Sequence, residues 1–127
     1  MGKARKLERG TVILVPLDDY HGNIEPHHAV VLSSTAACER GDKIIVAGVS
    51  TGYRTPLPPG QFYMDYIAGR PHPETGLSES CVVKGDWPNL VEQADIIQVF
   101  KRCSPAIVKG LIQFVNANPP PGFPSLS

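Results

Sequence analysis

The chain has 127 residues, 42% of them hydrophobic and 19% charged, which is typical of one soluble globular domain with its own core. Its formal net charge is zero, so a general electrostatic attraction to nucleic acid or membranes is excluded and any anion site must be local. Three cysteines without a CxxC pair argue against a zinc site or a disulfide framework and predict a cytoplasmic protein. No apolar run is long enough to span a membrane, and we expect neither a metal nor another cofactor.

The hydrophobic pattern predicts six short strands in chain order. Runs rich in β-branched residues, bounded by glycine, proline and aspartate turn signals, mark these strands. They cover residues 10–17, 29–32, 43–49, 61–67, 81–83 and 96–100. The segments between them are polar or rich in proline, which lacks the N–H group that a central strand needs. We therefore interpret residues 18–27, 50–60 and 69–76 as surface loops.

A single helix is predicted near the C-terminus. Ser104 can cap it, and the proline that follows suits the first turn. Apolar residues then recur at helical spacing until Asn118, where a second proline ends the helix. These elements predict one mainly β domain over residues 1–118, a small, strongly bent barrel of about six strands with a C-terminal helix. Residues 119–127 are too rich in proline for either structure and predict a disordered tail.

The most informative motif is the run Lys84-Gly85-Asp86-Trp87 at the end of a predicted strand. It places a cation, a flexible backbone position, a carboxylate and an indole at consecutive positions. Such a set can hold a phosphate with the cation and stack a base on the indole. The run therefore predicts a local site for nucleic acid in a chain that has no overall positive charge.

Four ordered segments resemble the MazF/PemK (Kid) family of toxins from toxin–antitoxin modules. They are Arg-Gly-Thr-Val-Ile-Leu-Val at 9–15, Ala-Val-Val-Leu-Ser at 29–33, Val-Ala-Gly-Val-Ser-Thr at 46–51, and the segment 76–88 that holds the lysine-to-tryptophan run. The resemblance covers roughly residues 9–117. It implies an SH3-like barrel, a homodimer neutralised by an antitoxin peptide or protein, and an endoribonuclease. The family's reaction is attack of a ribose 2′-OH on the adjacent phosphate of single-stranded RNA, which leaves a 2′,3′-cyclic phosphate without a metal.

The resemblance and the residue chemistry together suggest a set of site residues. The family usually has an arginine and a proline where this chain has His27 and His28. An imidazole can act as base or acid near neutral pH, so His27 takes the place of the expected arginine. The predicted catalytic residues are His27, Ser50 and Asp86. The predicted RNA-binding residues are Lys84, Arg54, Trp87, Tyr53 and His28.

Simpler interpretations exist for several of these residues. Adjacent histidines point to opposite faces of a strand, so only one can face a given site. Lys84 and Asp86 can form a surface ion pair of little energetic value, and Trp87 can be a core or dimer anchor. Ser50 can serve ordinary turn chemistry. The polar residues of the first loop also resemble a metal site, although their spacing matches no ligand motif.

Two other functions fit the same pattern. The replacement of the expected arginine and the neutral net charge are compatible with a non-catalytic binding module on the same barrel. Its partner would be a protein or a peptide, as for the related CcdB toxins that act on DNA gyrase. An inactive relative of the toxins is the third interpretation.

Overall fold

A computed structural model describes residues 6–126. Within these residues one antiparallel sheet contains six strands, in the order β4-β5-β3-β2-β1-β6. The strands are β1 (Thr11–Asp18), β2 (Ile24–Val31), β3 (Ile44–Ser50), β4 (Gln61–Tyr63), β5 (Val82–Val91) and β6 (Gln98–Arg102). The helices are α1 (Thr35–Glu39) and α2 (Pro105–Ala117), and a short 3₁₀ turn covers Gln93–Asp95. The predicted mainly β fold with a C-terminal helix is confirmed.

The predicted barrel needs a correction, because the sheet is not closed. β4 and β6 form its two edges and do not pair with each other. β4 has only three residues, and the proline-rich segment before it lacks the N–H donors that would lengthen the strand. The helix α2 covers the apolar face instead, so the sheet buries its core without closing on itself.

Both faces of the sheet are buried, each by its own cluster. The cluster on the side of α2 joins strand residues such as Val30 and Ile45 to Leu111 of the helix. The cluster on the side of α1 joins Ala29 and Val31 to Cys38. Neighbouring residues of one strand thus belong to opposite cores, as the alternation of side chains along a strand requires. A sheet buried on both faces explains why its central strands are nearly continuous apolar runs.

The helix α2 packs closely on β4. A Cβ at Gly110 would lie 2.5 Å from the ring of Phe62, so this glycine makes room for the aromatic side chain. One turn later, the ring of Phe114 lies over Gly60, where a Cβ would meet it at 2.6 Å. These contacts fix the backbone on both sides of Gln61, the first residue of β4.

The strand boundaries differ clearly from the predicted ones at three places. β4 ends at Tyr63, four residues before the predicted end at residue 67. β2 begins at Ile24, inside the predicted first loop, because β1 and β2 form a hairpin. Their pairing extends to Asp18 of β1, which lies opposite Ile24. β5 continues to Val91, eight residues beyond the predicted end at residue 83. Its pairing with β3 is irregular before Pro88 and then resumes. The helix α1, a five-residue element whose first turn is capped by the hydroxyl of Ser34, was not predicted.

The segment after α2 contacts the domain. Leu126 is buried and Phe123 is partly buried against the α2-side core. The guanidinium of Arg9 donates to the carbonyl oxygens of Leu32 and Leu126, at 2.8 and 3.0 Å. The domain boundary at residue 118 and the disorder of the tail stay predictions, and residues 1–5 and 127 lie outside the described residues. No helix in the described part of the chain has the length and apolarity needed to cross a bilayer.

Candidate active site

A bulge in β5 contains most of the run Lys84-Gly85-Asp86-Trp87. Ala47 of β3 pairs with Pro88, and the next residue, Gly48, pairs with Lys84. The residues Gly85–Trp87 therefore have no partner on β3 and project from the ladder. Bulges redirect side chains and are common beside active sites. The backbone N–H of Gly85 finds its acceptor elsewhere, in the carbonyl of Gly60 at 2.8 Å.

Trp87 anchors this bulge to the sheet. Its indole N–H donates to the carbonyl oxygen of Asp18 at 2.9 Å. Its ring covers Gly48, where a Cβ would lie 2.3 Å from ring atom Cε3. Part of the indole surface is thus used inside the protein, as the core-anchor interpretation expected. Base stacking by Trp87 stays a prediction, limited to the exposed part of the ring.

Lys84 and Ser50 converge on one backbone oxygen. The Lys84 ammonium donates to the carbonyl of Gly52 at 2.8 Å, and the Ser50 hydroxyl donates to the same oxygen at 3.2 Å. The N–H of Gly52 in turn donates to the hydroxyl of Ser50 at 3.0 Å, which is ordinary turn chemistry. A cation and a hydroxyl aimed at one oxygen provide donors that a phosphate oxygen can accept equally well. The ion pairs among residues 6–126 do not include one between Lys84 and Asp86.

Asp86 is held by a residue that sequence reasoning missed. The side-chain amide of Gln61 donates to both carboxylate oxygens of Asp86, at 3.3 and 3.1 Å. The contact arises because β4 pairs with β5 so that Gln61 lies opposite Lys84. Nothing in the local sequence of Gln61 indicates this register, which is set by the packing of α2 on β4. Gln61 therefore orients the Asp86 carboxylate.

The two histidine rings have different aromatic neighbours, although both line one hollow. The His27 ring makes an edge contact with Trp87, with ring centroids 5.0 Å apart. The His28 ring lies beside Phe100, at 5.3 Å, and Phe100 belongs to the side of the sheet covered by α2. Burial lowers the pKa of His28, and the nearby charge of His27 lowers it further. His27 is thus the histidine on the side of Trp87 and the bulge.

The lowered pKa of His28 predicts a loss of stability in acid. Above the ordinary histidine pKa of about 6.5, both folded and unfolded chains leave this ring neutral. Below it, the unfolded chain binds a proton that the folded protein resists, so stability falls as the pH drops from about 6.5 toward the lowered folded pKa. His28→Leu should therefore lose less stability in acid than the wild type does. Urea unfolding at about pH 7.5 and pH 5.5 measures this, with His21→Leu in the exposed loop as control. Equal losses in the wild type and His28→Leu would contradict it.

Three hollows share lining residues, and we call the three together the groove. The first, of about 440 Å³, is lined by residues that include Tyr53, Arg54, Lys84 and Asp86. The second, of about 300 Å³, shares Lys84 and Asp86 with the first and adds Ser50 and Trp87. A third hollow, a cleft of about 230 Å³, shares Ser50 with the second and contains both histidines.

All site residues predicted from the sequence line this groove. The structure thus brings the predicted residues together, while their catalytic and RNA-binding roles stay predictions. His28 reaches only the third hollow, where its ring borders the α2 side of the sheet. The cations Arg54 and Lys84 concentrate in the first hollow, so positive charge is local although the chain is neutral as a whole. A groove of this kind suits a strand with alternating phosphates and bases.

The first loop uses its carboxylate within its own turn. Asp19 accepts hydrogen bonds from the backbone N–H groups of His21 and Asn23 and from the Asn23 amide. These hydrogen bonds lower the pKa of Asp19. The backbone N–H of His21 contributes most to this effect, and the Asn23 amide contributes next. Within residues 6–126, no group of three or more histidine, cysteine or acidic side chains has a geometry that could hold a metal ion. The metal-site interpretation of this loop therefore has no geometric support.

Comparison with known proteins gives a match at the level of structure. No family model and no curated protein sequence matches this chain. Solved structures of mycobacterial endoribonucleases share its fold. One, in complex with its cognate antitoxin, superposes with a TM-score of 0.62 at 16% identity over 91% of this chain and 99% of that chain. Another gives a TM-score of 0.61 at 14% identity over 97% of this chain and 100% of that chain. The predicted resemblance to toxins of this kind is thus confirmed for the fold.

Proposed function

We propose that this chain is a toxin-like endoribonuclease that cleaves single-stranded RNA through a 2′,3′-cyclic phosphate without a metal. The observation that carries the proposal is the groove: Lys84 and Asp86 line the first two hollows, His27 lines the third, and Ser50 lines both the second and the third. The fold shared with endoribonucleases supports the same reaction class, and the four side chains supply the chemistry that the class needs.

The reaction places each group in a role. The phosphate binds where the Lys84 ammonium and the Ser50 hydroxyl now share the Gly52 carbonyl, and these donors neutralise its equatorial oxygens. The neutral imidazole of His27 takes the proton of the ribose 2′-OH as its oxygen bonds to phosphorus. The bond from phosphorus to the 5′-oxygen breaks, this oxygen takes up a proton from solvent water, and His27 returns the proton of the 2′-OH to the solvent. Asp86, fixed by Gln61, orients the reacting groups.

The proposal includes the assembly of the protein. One structural neighbour is an endoribonuclease in complex with its cognate antitoxin, which supports an antitoxin as partner here. We place the protein in the cytoplasm, because a reducing compartment suits its three buried free cysteines and because RNA is found there. We also propose that it is a homodimer, as the resemblance to the toxin family implies. Light scattering of the purified protein should give twice the mass of the chain. The mass of a single chain would contradict the dimer.

The proposed activity predicts a defect in Lys84→Ala. Removing a charged donor from the phosphate should lower kcat/KM for RNA about 10- to 100-fold, because hydrogen bonds that involve a charged group are worth about 1.5–3 kcal/mol. The matched control is Lys43→Ala, since Lys43 pairs with Glu92 at 3.5 Å and does not line the groove. Cleavage of a labelled single-stranded RNA measures both, with an all-DNA strand of the same sequence as a substrate that must stay intact.

Two outcomes would contradict this assignment. Equal activity in Lys84→Ala and Lys43→Ala would remove Lys84 from the site. Cleavage of the DNA strand would exclude attack by a 2′-OH. If the RNA stays intact while the protein still inhibits bacterial growth, the non-catalytic binding module becomes the better interpretation.

A further inference from the structure

The third hollow of the groove differs from the first in the chemistry of its lining residues. This cleft, here called the Glu79 cleft, is lined by His28, Leu77, Glu79 and Cys81 among others, and it shares Ser50 with the second hollow. Leu77 and Cys81 are buried and give it apolar walls. Among residues 6–126, no lysine or arginine lines it. It therefore differs sharply from the first hollow, which contains Lys84 and Arg54.

Glu79 gives the cleft a carboxylate with open hydrogen-bonding capacity. Within residues 6–126 it makes no side-chain hydrogen bond and no ion pair. The Glu79 charge acts on Cys81. Burial is the main cause, and the Glu79 carboxylate the second, that raises the pKa of the Cys81 thiol to about 11. The carboxylate therefore lies near a side chain that lines the cleft. The other titratable groups at the cleft are the two histidines, and burial keeps His28 in its neutral form.

These properties exclude a phosphate group as the ligand of the cleft and favour a nucleobase. An unpaired carboxylate repels a phosphate but accepts N–H groups, while apolar walls suit the faces of a nucleobase. Among the four bases of RNA, guanine has a ring N–H and an amino group side by side, which match the two oxygens of one carboxylate. In cytosine and adenine the amino group is next to a ring nitrogen that accepts, and in uracil the N–H lies between two carbonyls. Only guanine can therefore donate two parallel hydrogen bonds to Glu79.

We propose that the Glu79 cleft binds a guanine base of the RNA strand and that the Glu79 carboxylate reads its donor edge. The inference rests on the proposed function, because the phosphate next to this base is the one that Ser50 and Lys84 would hold. It adds a substrate preference to the groove. Guanine at this position should bind in preference to the other three bases by roughly 10-fold, the order of discrimination expected of one bidentate contact.

The decisive experiment measures binding without cleavage. Labelled single-stranded oligonucleotides with 2′-deoxyribose throughout cannot be cut by a 2′-OH mechanism, so their affinities test the cleft even if the proposed nuclease activity is wrong. The set contains a uracil background with one guanine, adenine or cytosine. Fluorescence anisotropy should show the guanine strand binding about 10-fold more tightly than the others.

Glu79→Gln separates base reading from general electrostatics. Removing the negative charge should strengthen binding of the strands without guanine, while the guanine strand also loses its contact with the carboxylate, so the ratio between guanine and the other bases is the quantity that decides. We expect this ratio to fall to within about 2-fold of unity in Glu79→Gln and to stay unchanged in Glu92→Gln, a surface carboxylate paired with Lys43. A wild type without guanine preference, no binding of any strand, or a preference that survives in Glu79→Gln would each overturn the proposal. If guanine preference is present but RNA is not cut, the cleft is retained and the nuclease function fails.

Discussion

His27→Ala should reduce the rate of RNA cleavage at least about 100-fold, the largest loss of activity expected for a single change in this chain. A positioned general base contributes typically 10²- to 10⁴-fold, and His27 is the histidine on the side of the bulge and Trp87. Single-turnover cleavage of a labelled single-stranded RNA is the measurement. Urea unfolding shows whether the variant keeps its fold, as expected for a half-buried side chain at the rim of the sheet.

The matched control is His21→Ala. His21 is exposed in the first loop and does not line the groove, so its removal should leave the cleavage rate within about 2-fold of the wild type. A rate in His27→Ala that remains close to that of the control would show that His27 is not the base. Growth inhibition that persists in His27→Ala without RNA cleavage would favour the non-catalytic module.

Gly48→Ala should cause the largest loss of stability among the single changes considered. A Cβ at this position would lie 2.3 Å from the Trp87 ring, so the indole must move and lose its hydrogen bond to Asp18. Overpacking and the lost hydrogen bond together should lower the free energy of unfolding by about 2–4 kcal/mol. Trp87 is the only tryptophan of the chain, so its fluorescence reports the displacement directly. We expect a shift of the emission to longer wavelength as the ring becomes more exposed to water.

Gly52→Ala is the control for this change. A Cβ there would meet only the Ser50 hydroxyl, at 3.5 Å, which is an ordinary contact. Its stability and its emission spectrum should stay close to those of the wild type. If Gly48→Ala unfolds at the same urea concentration as Gly52→Ala with an unchanged spectrum, the indole does not depend on Gly48 for its position.

Local pattern was enough to predict most of the fold. Runs of β-branched residues identified the central strands because a sheet buried on both faces needs continuous apolar segments. Ser104 and the proline after it marked the start of α2 correctly. The full length of β5 could not be predicted, because a proline such as Pro88 normally ends a central strand. Here the ladder resumes at Pro88, opposite Ala47, once the bulge is complete.

The location of the candidate site could also be predicted, but its geometry could not. The lysine-to-tryptophan run carries recognisable chemistry in consecutive residues, so the sequence alone directs attention to it. The contact of Gln61 with Asp86 depends on pairing between strands that are distant in sequence. The packing of Trp87 on Gly48 depends on the bulge register. Glu79 was missed because a single exposed carboxylate has meaning only beside the cleft that it lines.

The ends of the RNA products test the proposed chemistry most directly. Purified protein, free of any bound antitoxin, is incubated with a single-stranded RNA in the presence of EDTA, and the fragments are identified by mass spectrometry. Attack by the 2′-OH predicts a 2′,3′-cyclic phosphate on the upstream fragment and a free 5′-hydroxyl on the downstream fragment. RNA that stays intact at every pH from about pH 6 to about pH 8 would contradict the proposed function. Fragments that end in a 3′-hydroxyl and a 5′-phosphate would contradict the mechanism.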